Sequence, residues 1–326
     1  MSHKHLSPFE RGQIQAMISA GASVRQIAHK LGRSPSTISR EIRRNKSPRG
    51  GYNAQRAQER YKERRKACRR TRRLDYEPLR QYVVEKMVSG WSPEQISGRA
   101  EREHPKNPFI RVSTETIYQF IDKDPRWGPV MRPHLRQARR RRRRGTRRKV
   151  RSLIPNRVGI EQRPHCVNEL ARYGDWERDI LIGRNRKGAI LTLVERKSLL
   201  TLAAPLETRQ AAPTAEAMIR LLQSLPPHWR QTLTLDNGIE FRLHEQVSQA
   251  TGIQIYFAHP YAAYERGRNE NTNGLIRQYL PKSTDFRNIP PEKLEEIIYE
   301  LNNRPRKKLG YRTPLEVFLE NVAFRI

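Results

Sequence analysis

Three strand-length apolar runs follow one another between Trp176 and Leu206 with no helix-length segment between them. They are 176–183 (WERDILIG), 189–195 and 200–206, all rich in aliphatic and β-branched residues. Such short connections allow neighbouring antiparallel strands, because a parallel pair needs a crossover of a dozen or more residues. The rhythm then changes. An amphipathic helix is expected over 214–225, a strand over 231–235, a helix over 243–250 and a strand over 253–257, closed by Pro260. Strands separated by helices join in parallel.

This order, three strands and then alternating helix and strand, is the one expected of a ribonuclease-H-like α/β core. The core is placed over 169–326, with further helices at its C-terminal end. The acids within it suggest its chemistry. Asp236 follows an apolar strand and precedes Asn237-Gly238, a turn signal. Its carboxylate belongs at the carboxyl end of the sheet, where α/β proteins bind ligands. The same Asp-Asn-Gly is also consistent with a turn and nothing more. Glu270 lies on a polar helix, with Asn273 and Arg277 on the same face and Leu275, Ile276, Tyr279 and Leu280 opposite. That face suits a metal and an adjacent phosphate, or simply solvent.

The first strand offers Asp175, Glu177 and Asp179, all on one face by two-residue alternation. Asp179 is preferred because it lies against Ile180-Leu181-Ile182, where an unpaired charge is costly. Asp175 is expected ahead of the strand, in solvent. Carboxylates grouped in this way are the usual anchors for two divalent ions that act on a phosphodiester.

The rest of the chain points to a polyanionic partner. Lys and Arg number 65 against 33 Asp and Glu, a net charge of +32, which suits nucleic acid. Two cysteines, Cys68 and Cys166, exclude a disulfide framework and a Cys-rich zinc site. With no long apolar run and no signal-peptide pattern, the cytosol is the expected location, with no membrane partner.

Residues 1–46 read as a helix-turn-helix domain. Capping boxes at Ser7–Glu10 and Ser23–Gln26, and Ser34-Pro35, start three short helices. Ile38 and Ile42 face inward on the third. Ser36, Thr37, Ser39, Arg40, Arg43 and Arg44 are then available to phosphates and base edges. Residues 47–73 read as a basic linker helix, and 74–122 as a second helix-turn-helix-like domain. In that second domain Ile117, Phe120 and Ile121 point inward, leaving Thr114, Tyr118 and Gln119 for DNA. Residues 123–168 form an Arg-rich linker, with Arg141 and Arg143 in its densest run, expected to track DNA.

Together these motifs resemble the insertion-sequence-thirty-type transposases, of the DDE superfamily with a retroviral-integrase-like core. The resemblance spans nearly the full length. It rests on 34–42 (SPSTISREI), 91–96 (WSPEQI), 174–179 (GDWERD), 235–238 (LDNG) and 269–277 (NENTNGLIR), with thirty-three residues between Asp236 and Glu270. By position it implies an acidic triad of Asp179, Asp236 and Glu270 and a downstream basic residue at Arg277. It implies Mg²⁺, with Mn²⁺ able to substitute. It also implies binding to terminal inverted repeats and target DNA, a homo-oligomer on DNA, and strand cleavage and transfer with no covalent protein–DNA intermediate. Two positions depart from the family pattern, Arg178 and Arg268. Both are expected to add positive charge beside the acids. The competing expectation is a DNA-binding transcriptional regulator whose core is catalytically silent.

Overall fold

In the computed structural model, the described residues are 5–47, 51–68, 72–135, 154–260, 262, 265 and 267–323. They form two compact units, Met1–Asp75 and Tyr76–Ile326.

The first unit is built from α1 (Pro8–Ser19), α2 (Val24–Lys30), α3 (Pro35–Asn45) and α4 (Ala54–Ala67). Ser7 and Glu10 cap α1 reciprocally, Ser23 and Gln26 do the same for α2, and the Ser34 hydroxyl accepts the Thr37 N–H. Ile14, Ile27 and Ile38 are fully buried and meet at the centre. Each contributes about 1.5–3 kcal/mol by leaving water. The expected linker helix is instead a fourth helix of this unit. Ala57 on α4 is fully buried in the same cluster, and Asn53 caps the helix. A buried ion pair runs across the unit, from Arg11 Nε to Glu41 Oε1 at 2.7 Å. Arg11 also donates to the Leu6 carbonyl and to Gln58 on α4. Tyr52 donates to Glu41, so α1, α3 and α4 share one polar anchor.

The second unit begins with α5 (Glu77–Val88), α6 (Pro93–Glu103), α7 (Thr114–Lys123) and the short α8 (Gly128–Met131). Leu79, Val83, Met87, Ile96, Ile117 and Ile121 are buried between them. The short α9 (His165–Asn168) precedes a five-stranded sheet. Its strands are β1 (Asp175–Ile182), β2 (Ala189–Glu195), β3 (Thr201–Leu206), β4 (Thr232–Leu235) and β5 (Gln254–Phe257), in the order β3-β2-β1-β4-β5. The β1–β2 and β2–β3 pairs are antiparallel, and the β1–β4 and β4–β5 pairs are parallel. This is the ribonuclease-H-like arrangement that the element order implied.

The helices α10 (Ala211–Gln223), α11 (His244–Thr251), α12 (Gly267–Tyr279), α13 (Pro291–Asn302) and α14 (Pro314–Ala323) complete the unit. Two-residue alternation divides the sheet into two faces. Trp176, Leu191, Leu193, Leu233 and Leu235 pack with Met218 and Leu222 of α10. Leu181 and Ile190 pack on the other side with Leu275 and Ile276 of α12 and Leu294 and Ile297 of α13.

Helix α6 is bound to the C-terminal part of the same unit. Gln95 Nε2 donates to the Pro305 carbonyl at 2.7 Å, and Arg304 Nε donates to Gln95 Oε1 at 2.8 Å. Arg99 pairs with Glu316. A Cβ at Gly98 would sit 2.3 Å from the Tyr311 ring, so the close approach of α6 requires glycine.

Candidate active site

The α12-facing side of the sheet carries a row of polar groups. On β1 these are Asp175, Glu177 and Asp179, on the same face as Leu181. On β4 they are Thr232 and Thr234, followed by Asp236 just past the strand. Register pairs Asp175 with Thr232 and Glu177 with Thr234. β4 ends at Leu235 and Asp236 follows it directly, so Asp179 and Asp236 each lie two residues past the last paired position, at the same end of the two parallel strands. Neighbouring strands lie about 4.8 Å apart, so the two carboxylates share one patch of surface.

The three acids of β1 have different surroundings. Asp175 is not in solvent ahead of the strand, as its position suggested. It is the first residue of β1, 1% exposed, and accepts from Thr232 Oγ1 at 2.7 Å and from Arg172 at 3.2 Å. Glu177 is also 1% exposed. It pairs with Arg196 Nη1 at 2.7 Å, and its Oε2 accepts the N–H groups of Arg268 and Asn269 at 3.2 and 3.3 Å. Those amides open α12, where the helix dipole favours an anion. Burial nonetheless pushes the Glu177 carboxyl up, and Arg196 and the α12 amides pull against that shift. Asp179 is only half-buried. Asp175 and Glu177 are the deeper acids, so burial does not single out Asp179, contrary to expectation.

Asp179 is distinguished by access and by what it touches. Its Oδ2 accepts from Asn273 Nδ2 on α12 at 2.6 Å, and its Oδ1 accepts the Ile180 N–H at 2.9 Å. Asn273 Oδ1 in turn faces the Thr192 hydroxyl at 3.5 Å, which fixes the amide orientation. Asp236 is half-buried, and its Oδ1 accepts the Gly238 N–H at 3.1 Å. The turn reading of Asp-Asn-Gly and the functional reading are therefore compatible, because the turn holds Asp236 at the sheet edge. Asn237 donates to the Ala258 carbonyl at 2.7 Å and accepts from Arg157. Phe241, fully buried, anchors the far side of the loop.

Glu270 is on α12, one turn before Asn273 and on the same helical face. Its side chain lies outside the described residues, as do Arg141 and Arg143. Arg277, two turns beyond Glu270, has a structural attachment. Its Nη2 donates to the Ile182 carbonyl at 2.7 Å, and its guanidinium lies 5.0 Å from the Phe286 ring centroid. It fastens the end of α12 to the end of β1. Burial lowers its basicity.

Arg178 does not sit beside the acids. Alternation puts it on the opposite face of β1, 1% exposed, with its guanidinium 3.9 Å from the Phe241 ring centroid. Arg268 does lie near the acids, since its charge favours the ionised form of Glu177.

Arg163 was not singled out from the sequence. It is 8% exposed and donates from Nη1 to Thr234 Oγ1 at 2.7 Å. Burial and the neighbouring Arg196 push its pKa down. Nothing in its local sequence signals this role, because the contact spans seventy-one positions.

Among the described residues no group of three or more His, Cys, Asp or Glu side chains is gathered at metal-binding distance. The donor chemistry of the accessible pair still fits a hard divalent cation. Asp179 and Asp236 supply carboxylate oxygens of the type Mg²⁺ takes and are more open to solvent than Asp175 and Glu177. Among the described residues, no helix is long and apolar enough to cross a membrane.

In the first unit, Ser36, Ser39, Arg40, Arg43 and Arg44 are exposed on α3 and Thr37 is half-buried, with Arg40 bonded back to the Ser36 carbonyl at 3.1 Å. In the second, Tyr118 is 42% exposed, Gln119 is exposed and Thr114 is half-buried on α7.

A family model described as a helix-turn-helix domain matches residues 2–45. The chain is 40% identical to the transposase for insertion sequence element IS4351 of Bacteroides fragilis, over 97% of this chain and 95% of the relative. It is 41% identical to the transposase for IS1086 of Cupriavidus metallidurans, over 98% and 96%. It is 39% identical to the transposase InsI for IS30A of Escherichia coli, over 98% of this chain and 84% of the relative. Among solved structures, the catalytic core domain of BIV integrase aligns at 23% identity with a TM-score of 0.37, over 47% of this chain and 97% of that one.

Proposed function

Because this chain belongs to the family of insertion-sequence transposases that includes those of the IS30 elements, we propose that it binds the terminal inverted repeats of an insertion sequence and cleaves and joins DNA at the acidic patch on its sheet. The observation that carries this reading is the parallel β1–β4 register, which pairs Asp175 with Thr232 and Glu177 with Thr234 and runs toward Asp179 and Asp236 at the same end of the two strands, with Glu270 on the neighbouring α12. Every deeper acid on that face is already held by a cation of the protein.

Asp179, Asp236 and Glu270 would hold Mg²⁺, with Mn²⁺ able to substitute. Bound divalent ions would supply charge stabilisation at the phosphorus. On this reading, α12 and the Asp236 turn would hold the acids around the scissile phosphate. In the first step, water forms a bond to phosphorus and the bond to the 3′ oxygen breaks, leaving a 3′-hydroxyl. In the second, that hydroxyl attacks another phosphodiester and displaces its 3′ oxygen. Recognition of the repeats falls to α3 of the first unit, with Ser36, Thr37, Ser39, Arg40, Arg43 and Arg44 at the DNA, and to Thr114 and Tyr118 of α7. A homo-oligomer assembled on DNA, on the bacterial nucleoid, completes the reading.

The test is Asp236→Asn. Mg²⁺-dependent cleavage of a repeat-containing duplex is expected to fall by roughly 10²–10³ or more, the scale of losing a charge-stabilising group, with repeat binding retained. Cleavage at the wild-type rate would overturn the assignment. A wild-type protein that binds repeats and never cleaves them would be a regulator with a silent core.

A further inference from the structure

The loop joining β1 to β2, residues 183–188, begins four residues past Asp179. At strand spacing its start is about 13 Å from that acid. The loop reads Gly-Arg-Asn-Arg-Lys-Gly and contains no acid. Arg184, Asn185, Arg186 and Lys187 are all exposed. It is held against a second basic loop, 281–288. The Arg184 N–H donates to the Thr284 carbonyl at 2.8 Å, and the Phe286 N–H donates to the Lys187 carbonyl at 3.3 Å. Lys282 and Arg287 are exposed there. Only Asp285 opposes them, and it is already paired with Arg287 at 2.8 Å. The two loops thus present five cations and one acid at the same end of β1 as the acidic patch.

The backbone adds an independent observation. Asn185 and Arg186 both have positive φ, at 52° and 63°. Asn tolerates that region, but arginine is strained there and glycine would not be. Two glycines already flank the loop, so glycine fits the local pattern of the turn. The Arg186 side chain is exposed in a conformation that works against it. A cation kept at a position that glycine would suit better points to a partner outside the chain. A cluster of guanidinium and ammonium groups whose single acid is already paired, about one duplex radius from the proposed phosphodiester-cleaving site, has one fitting partner chemistry, a row of backbone phosphates.

We infer that the 183–188 and 281–288 loops form a sequence-independent track for the phosphate backbone of duplex DNA passing the acidic patch, with Arg184, Arg186, Lys187 and Lys282 as its contacts. The inference rests on the proposed DNA-cleaving role of that patch.

The experiment is equilibrium binding by the full-length chain without divalent metal, over a range of salt. Two duplexes are compared, one with an element end and one of unrelated sequence. Arg186→Gly is expected to leave the melting temperature of the second unit equal or higher. It should weaken both duplexes by a similar several-fold factor and reduce the slope of log affinity against log salt by about one. Arg184→Ala, Arg186→Gly and Lys187→Ala combined should reduce the slope by roughly two to three. Unchanged affinity and slope overturn the inference. So does a loss confined to the element-end duplex, which would mean sequence reading, or a fall in melting temperature for Arg186→Gly, which would mean the side chain serves the fold. Because binding is measured without metal, these outcomes stand apart from the cleavage assay of Asp236→Asn, and either can fail alone.

Discussion

Asp175 and Asp179 lie on one face of one strand, four residues apart, and their surroundings give them different tasks. Asp175 is held by Thr232 and Arg172 and is almost fully enclosed. Removing its charge weakens the hydrogen bonds around a buried group, at a cost of about 1–3 kcal/mol, because Arg172 is itself partly open to solvent. Asp179 is half-buried, it accepts from the Asn273 amide and the Ile180 N–H, and another acid, Asp236, follows the neighbouring strand at the same end. Relieving repulsion at such a site tends to stabilise a fold at the expense of function. Asp175→Asn is therefore expected to lower the unfolding midpoint of the second unit while the folded fraction still cleaves DNA. Asp179→Asn is expected to unfold no earlier than wild type and to lose cleavage by about 10²–10³ or more. Chemical denaturation beside a cleavage assay separates the two. The reverse pattern would move the catalytic role to Asp175. Glu177 belongs with Asp175, because its contacts to Arg196 and to the first amides of α12 make it the anchor of the helix that carries Glu270.

At the scale of elements, the β2–β3 turn has its own titrating anchor. The Glu195 carboxylate is fully buried and accepts from the N–H groups of Gly174, Lys197 and Ser198 and from the Ser198 hydroxyl. Burial outweighs these donors and pushes its pKa from 4.5 up to about 6. The folded chain then holds this proton more tightly than the unfolded chain does. Its contribution is most favourable below pH 4.5 and declines as pH rises to about 6, by about 2 kcal/mol in total. All four tryptophans lie in the second unit, so their fluorescence during urea unfolding reads this unit alone. The expected result is a Glu195-dependent fall in stability across that window, absent in Glu195→Gln. An identical pH profile in wild type and variant would refute it. These elements were legible to different degrees. The strands, the capped helices and the change from antiparallel to parallel pairing follow from local patterns, since capping boxes, two-residue alternation and connection length act within a few residues. The role of α4 was not legible, because one small buried residue, Ala57, decides it. The choice among the acids of β1 rested on burial, which depends on partners such as Arg172, Arg196 and the amides of α12. Those partners come from other parts of the chain, and single-strand periodicity carries no trace of them. Arg178 was misplaced for a simpler reason: alternation puts it opposite Asp179, and only the overall charge of the segment had been considered.

For the whole molecule, the chain divides into Met1–Asp75, which carries the proposed reading helix α3, and Tyr76–Ile326, which carries α7 and the proposed acidic patch. The first unit has its own apolar cluster and its own buried Arg11–Glu41 pair. Its size is near the lower limit at which a single core folds unaided. The second unit combines α5–α7 with the sheet through Gln95, Arg99 and Arg304. If α3 reads the element end, residues 1–75 alone should unfold cooperatively and keep the full-length preference for repeat DNA over unrelated DNA. Residues 76–326 should lose that preference and keep salt-sensitive binding to any duplex. The chain as a whole carries +32. A protein making six to ten phosphate contacts loses about 10³–10⁵ in affinity between 50 and 200 mM salt. Titrating each piece and the whole chain with both duplexes over that range tests the division. Sequence preference that stays with 76–326 would assign recognition to α7, with Thr114 and Tyr118, and reduce α3 to a phosphate contact. Preference that needs both pieces joined would mean that the two units read the element end together.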